Sequence, residues 1–585
     1  MSSLSLKRDF AVNTRLLRIA LLALVIGVIS TGAAWALLKL IRFFTNLFFF
    51  QTWSFIDRSP ATHALGAWVI VVPALGGLIV GLIARFGSEK IRGHGIPEAI
   101  EAILFGQSKM SPKIAVLKPL SSGIVIGSGG PFGAEGPIIM TGGAIGSLIA
   151  QYFHLTASER KTLLVAGATS GMTAVFGTPV AAVLLAVELL LFEWRPRSLL
   201  PVALACAVAG FTRPLLMDPG PLFPLQTADP GVLALFSCAV AGLLCGALSA
   251  ALSVALYKVE DLFGKLPIGW MWWPALGGLV VGLGGYFQPR ALGVGYDVIG
   301  DLLHNHLTVT VALALLGVKA LIWVISLGSG TSGGVLAPLL MMGAGLGVVL
   351  GPWLPGGEPA LWPLVCMAAT LAGVLGAPLT ATIFAFGLTH DSHALLPLLT
   401  ATLVSYGFTV MTMRRSIMTE KIARRGRHIH REYGVDPLER HFVEEVMSRE
   451  VRTIDAALKL AHVQALYFDK TQAHRAFPVV RDGVVIGMMD RAMLDAGLGR
   501  LGAQTPAAEL FGHDGAGPMA LPAESCRTVA ARMASQELER LPVVVDKKSR
   551  TLVGLVARSD LIKLSTTYFE DDERLERVRR LPWTS

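Results

Sequence analysis

Apolar residues run in long stretches through the first 413 positions, and then give way to a charged, punctuated pattern. Residues 19–38 and 231–257 carry no charged side chain, and each stretch reaches the roughly 20 residues a helix needs to cross a hydrocarbon core. Spanning helices are predicted at both. Other apolar runs, at 131–146 and 328–351, are broken by glycine and proline. Broken helices at membrane depth are tolerated only where protein or a water-filled cavity covers the freed backbone groups. The breaks therefore point to a pathway. Past Met413 the hydrophobic density collapses, and the pattern predicts a soluble domain after a boundary between 415 and 440.

Composition agrees with a membrane protein. Hydrophobic residues make up 53% of the 585 positions and charged residues 16%, where a soluble chain has about a quarter. The formal net charge of +9 would suit a nucleic-acid partner, but the basic residues gather at Lys7, Arg8, Arg15 and Arg18 and again over 414–431. Flanking an apolar block, and with no recognition motif beside them, they read as positive-inside anchors. Both termini are expected in the cytoplasm, next to membrane lipid, with no nucleic-acid partner. No small-residue cleavage site follows a short apolar core, so a cleaved signal peptide is not expected. Cys206, Cys238, Cys245, Cys366 and Cys526 lack the spacing of a metal site or a disulfide framework.

The apolar block repeats itself. Residues 73–78 (PALGGL) reappear as 274–279, 201 positions later. Near the same offset Gly93-His94-Gly95 matches Gly293-Val294-Gly295, 133–137 matches 333–338, and Gly177-Thr178-Pro179 matches Gly376-Ala377-Pro378. Transporters built from two repeats, often inverted, place their substrate site where interrupted segments of the two halves meet.

Three of these segments share one design: glycines, then proline, then an apolar helical run. They are Gly93-His94-Gly95-Ile96-Pro97, Gly133-Ala134-Glu135-Gly136-Pro137 and Gly333-Gly334-Val335-Leu336-Ala337-Pro338. Proline suits a first helical turn, so the residues before it present unpaired N–H groups with the positive end of the helix dipole behind them. That is an anion site made of backbone, and glycine lets an ion approach it. Glycines of this kind also serve close helix packing. Glu135 is a carboxylate inside an otherwise uncharged segment, and an intramembrane ionisable group is a functional hypothesis by default. Ionised, it can occupy the N–H groups that would hold a transported anion; protonated, it can leave. Glu188 and Glu193, near the end of another apolar run, are weaker candidates, the second lying close to the water interface.

With these motifs in order, 93–98 GHGIPE, 133–137 GAEGP and 333–338 GGVLAP, the chain resembles the CLC family of chloride channels and proton/chloride antiporters over residues 15–425. The resemblance implies an all-α polytopic membrane domain over 16–425, with repeats at 60–213 and 260–413, preceded by an N-terminal segment 1–15. It implies a homodimer with one pore per subunit, and Glu135 as gating glutamate. Anion contacts would come from His94, Gly95, Ile96, Pro97, Gly136, Val335, Leu336 and Met418, and positive potential from Lys118. His94 stands where the family usually has serine, Met418 where it has tyrosine, and Leu336 where it has phenylalanine. Antiporters of the family carry a proton-transfer glutamate directly after the position of Glu188, and here that residue is Leu189. Chloride conduction is the leading expectation and proton/chloride exchange, with Glu188 on the proton path, the alternative.

After a linker at 426–442, Phe477-Pro478-Val479-Val480, a turn at Arg481-Asp482-Gly483 and residues 484–489 read as strand, turn and strand before a polar helix, and the unit recurs from Leu541 to Leu561. This duplicated α/β unit resembles a CBS pair over 443–566, with modules at 443–500 and 507–566 and a tail at 567–585. CBS pairs of the family can bind adenine nucleotides; here Gly554 and Asp560 fit the pattern and Ala557 replaces its threonine. No cofactor is required otherwise, and chloride is the expected substrate. A cation carrier would show several carboxylates in its spans, yet residues 320–389 hold one charge, Glu358. No constellation for enzymatic chemistry stands in the apolar block.

Overall fold

The computed structural model describes residues 15–427, 429, 437–469, 472, 474–511 and 517–564. The basic residues Lys7 and Arg8, residues 428 and 430–436 of the linker and the tail beyond 566 lie outside the described residues. The rest falls into two compact units, one up to 429 and one over 437–564.

The first unit is helical throughout. Among the described residues, seven helices are long and apolar enough to cross a membrane. The stretch 19–38 lies within Arg15–Phe50 and the stretch 231–257 within Val232–Gly264. Neither is interrupted by proline, and both outrun a hydrocarbon core at 1.5 Å per residue. The helices Pro179–Leu185, Leu361–Leu375 and Pro378–Thr389 are too short to span, as broken elements should be.

Close packing in this unit is reciprocal between the repeats. A Cβ on Gly77 would strike the carbonyl of Pro274, and one on Gly278 that of Pro73; Gly81 faces Met271 and Gly282 faces Ile70 in the same way. As one helix advances from 77 to 81 its partner retreats from 274 to 271. The helices Val71–Phe86 and Trp273–Phe287 are thus antiparallel and exchange equivalent contacts, so the repeats are inverted relative to each other. A methyl group at any of these glycines would push the backbones apart, and van der Waals fit is what holds such helices together in lipid.

The second unit has two small sheets. Ile454–Asp455 pairs parallel with Ala476–Arg481, which pairs antiparallel with Val484–Asp490; Arg540–Val544 pairs antiparallel with Leu552–Ala557. The first hairpin turns on Asp482 and Gly483, at φ +51° and +80°, the left-handed pair that the right-handed strand twist favours. The expected polar helix follows at Arg491–Leu501, capped by Asp490, whose carboxylate accepts from the Met493 N–H at 2.8 Å.

Candidate functional site

Two buried lysines set up the centre of the membrane unit. The Lys118 ammonium donates to the carbonyls of Ile91 and Gly93 at 2.7 and 2.8 Å. Lys319 donates to those of Ala291 and Gly293 at 3.0 and 2.8 Å. In a trans peptide the N–H points away from the carbonyl. Pinning the Gly93 and Gly293 carbonyls therefore turns the N–H groups of His94 and Val294 away from the lysines. Each loop also crosses to the other repeat, Gly93 donating to Thr331 O at 2.8 Å and Gly293 to Gly129 O at 2.9 Å.

The helices Glu135–Gln151 and Leu336–Leu350 start side by side. Gly133 and Gly334 form a two-way bridge between them, the Gly334 N–H donating to Gly133 O at 3.0 Å. Glu135 is fully buried, and its Oε1 accepts from the Ala337 N–H at 2.8 Å. A Cβ on Gly133 or Gly334 would strike this carboxylate, so these glycines make room for it. A carboxyl group thus already sits at the positive end of the second helix. Gly136 is the meeting point of three segments: a Cβ there would strike the His94 carbonyl and lie 3.3 Å from the Gly334 Cα.

His94 is 4% exposed, and its Nδ1 finds no partner among the described residues. The Gly95 N–H is engaged by Glu98 Oε2 at 2.9 Å, and Glu98 Oε1 accepts from Lys421 at 2.5 Å. Lys421 belongs to the helix Ile417–Arg424, which carries the fully buried Met418. The Tyr257 hydroxyl donates to the Ile417 carbonyl at 2.6 Å and fixes the start of that helix. Ile96, Pro97, Val335 and Leu336 are all buried in the same core.

Glu188 stands apart. It lies in a π-helical stretch, Ala186–Leu191, and its carboxylate accepts from the N–H groups of Leu379 and Thr380 at 3.3 and 2.7 Å. Both oxygens are thereby engaged at the start of the helix Pro378–Thr389. Leu189 beside it is fully buried. In the second unit, Asp560 Oδ2 accepts from the Ala557 N–H at 3.0 Å, and Gly554 packs against Met447, where a side chain would collide.

The sequence pattern points to Val335 and Leu336 as donors to an anion and not to Ala337, whose N–H holds the Glu135 carboxylate. It also passed over Lys319, which the 201-residue offset from Lys118 would have revealed. Glu98 and Lys421 were missed for a different reason: they lie 323 residues apart and meet only in the fold.

Inverted repeats of broken helices that converge on a buried site of backbone donors define a polytopic membrane protein built to handle anions. The model of the voltage gated chloride channel family matches residues 75–410, more than half of the chain, and the chain belongs to that family. CBS domain models match 443–494 and 518–566. The voltage-gated ClC-type chloride channel ClcB of Escherichia coli O81 (strain ED1a) is 29% identical over 426 residues, covering 69% of this chain and 98% of its own length. A slow cyanobacterial Cl−/H+ antiporter superposes with a TM-score of 0.61 at 21% identity, over 71% of this chain and 99% of that one. A eukaryotic CLC transporter gives 0.60 at 19% identity, over 93% of this chain and 98% of that one. The protein is an integral membrane protein of anion transport, not an enzyme.

Proposed function

We propose that this chain conducts chloride or a similar small anion through one pore per subunit of a homodimer, with Glu135 as the gate. The observation that carries the reading is the 2.8 Å hydrogen bond from the Ala337 N–H to the Glu135 carboxylate. The gate acts as a tethered anion: it occupies a helix N-terminus, and a free anion takes the place when the carboxyl is protonated or displaced. Lys118 orients the loop that carries His94, Gly95, Ile96 and Pro97. With Met418 in place of a hydroxyl-bearing residue, the inner side of the ion relies on backbone donors and on His94. The membrane is a bacterial inner membrane, with both termini and the CBS pair in the cytoplasm. The CBS pair modulates transport and takes an adenine nucleotide at Gly554 and Asp560, which nucleotide titration of the purified protein tests.

Conduction is favoured by the apolar Leu189 and by the engagement of both Glu188 oxygens. Proton/chloride exchange is the second reading, and the likeness of the fold to a Cl−/H+ antiporter supports it. Chloride flux from liposomes, recorded with external pH under an imposed chloride gradient and a voltage clamped by valinomycin and potassium, separates the two. Uphill proton movement establishes exchange, chloride flux without it establishes conduction, and no anion flux sinks both. Glu135→Gln is expected to flatten the pH dependence of flux; an unchanged pH profile would remove Glu135 from the gate.

A further inference from the structure

Tyr296 carries a buried donor that nothing among the described residues takes up. It opens the helix Tyr296–Leu303 directly after Gly295, whose φ of +79° suits glycine. Its ring meets Phe176 edge-on at 6.4 Å and Phe223 at 6.1 Å. The hydroxyl oxygen is buried and makes no hydrogen bond among the described residues. Phenylalanine would fill the same space and leave no polar atom to satisfy, so the hydroxyl calls for an acceptor.

Its position supplies one. Gly295 packs so closely on Met341 that a Cβ would strike the methionine methyl. Met341 lies four residues after Ala337, on the same face of the helix Leu336–Leu350. Ala337 is the residue whose N–H holds Glu135. Glu135 and Asp57 are the acidic groups near enough to bear on the Tyr296 hydroxyl, and Glu135 Oε2 is buried with no donor among the described residues. A buried donor and a buried acceptor thus share one neighbourhood without bonding each other.

The other repeat shows that the hydroxyl is not part of the scaffold. Gly95 packs on Met140 as Gly295 packs on Met341, yet the next residue there is the fully buried Ile96. The corresponding helix start of the first repeat thus carries an aliphatic side chain at this position.

We propose that Tyr296 is a side-chain ligand of the transported anion, its hydroxyl donating to the ion as it passes between Glu135 and the loop 293–296. A hydrogen bond to an ion is shorter and stronger than a neutral one, and a single point donor favours a small anion of concentrated charge over a diffuse polyatomic one. The assignment rests on the anion-transport reading of the pathway around Glu135.

The test compares the full-length wild type with Tyr296→Phe and Tyr296→His, by chloride and nitrate flux in liposomes across pH, by chloride titration calorimetry and by thermal melting. Tyr296→Phe is expected to melt like the wild type, to weaken apparent chloride affinity by roughly tenfold, as loss of one charge-assisted hydrogen bond should, and to raise the nitrate-to-chloride flux ratio. Tyr296→His, which restores an N–H donor, should recover part of both. Unchanged affinity and ratio in Tyr296→Phe, with chloride transport intact in the wild type, overturns the ligand role alone. So does a change confined to the pH profile, since the hydroxyl would then serve Glu135, and so does a large drop in melting temperature, which would make it structural. A wild type that neither binds nor moves chloride overturns this assignment and the anion-transport reading together.

Discussion

In the first repeat Lys118 reaches back to the carbonyls of Ile91 and Gly93; in the second Lys319 does the same to Ala291 and Gly293. The helices that start beside these loops then diverge. At matching positions one begins with Glu135 and the other with Leu336. The loops diverge as well, His94 and Ile96 standing against Val294 and Tyr296. Backbone geometry has been kept by both halves because each helix start needs a pinned loop behind it. Side-chain chemistry has not, because a second carboxylate beside Glu135 would compete for the same donors and repel the first.

The comparison breaks most visibly at the lysines. Lys118→Met and Lys319→Met are each expected to lower stability by about 3 kcal/mol or more, because two buried carbonyls lose their donor at once. Thermal unfolding in detergent should show similar losses for both; a tolerant position on one side would end the equivalence. Next in size, Leu336→Glu copies Glu135 into the second repeat. Two carboxylates at one helix pair should compete for the same donors, and chloride flux is expected to fall by about tenfold or more. A variant with normal flux would mean that the site has room for two gates.

Glu188→Gln should cost about 1–2 kcal/mol, the usual range for weakening a helix N-terminal acceptor. Melting curves measure it, and flux per folded protein should stay near wild type under the conduction reading. The smallest effect is expected outside both repeats and serves as their baseline. Burial alone would push the Glu524 carboxyl up, but its ion pair with Arg532, at 2.6 Å, holds it below the usual range. A depressed carboxyl adds stability above its unfolded value, and that stability disappears as the pH falls through the folded one. Arg532→Gln should therefore destabilise the CBS pair by at most about 1 kcal/mol near neutral pH, and the gap between variant and wild type should close in acid. A gap that persists at low pH would assign the effect to packing.

Much of the membrane unit was legible from pattern. Uncharged runs placed Arg15–Phe50 and Val232–Gly264, and the Gly-Pro breaks located the segments that meet at the centre. The repeat was legible too, because packing against the inverted partner demands glycine at Gly77 and Gly278, and packing against Ser128 and Ser329 of the same repeat demands it at Gly76 and Gly277. Orientation was not, since a sequence read in one direction carries no sign of how a copy is turned in the membrane. The engagement of Glu188 was equally hidden: its partners, Leu379 and Thr380, donate through backbone that any residue would offer.

The sequence by itself determined the class of molecule, its two blocks, its duplication and the presence of one carboxylate among backbone donors. Hydrophobic period, charge density and glycine-proline punctuation act locally, so they can be read along the chain. Tertiary structure alone decided which N–H takes the Glu135 carboxylate, that Lys421 closes on Glu98, and that Gly295, next to Tyr296, packs on Met341. Those choices depend on distances between segments up to 323 residues apart, which only the packing of helices against one another sets.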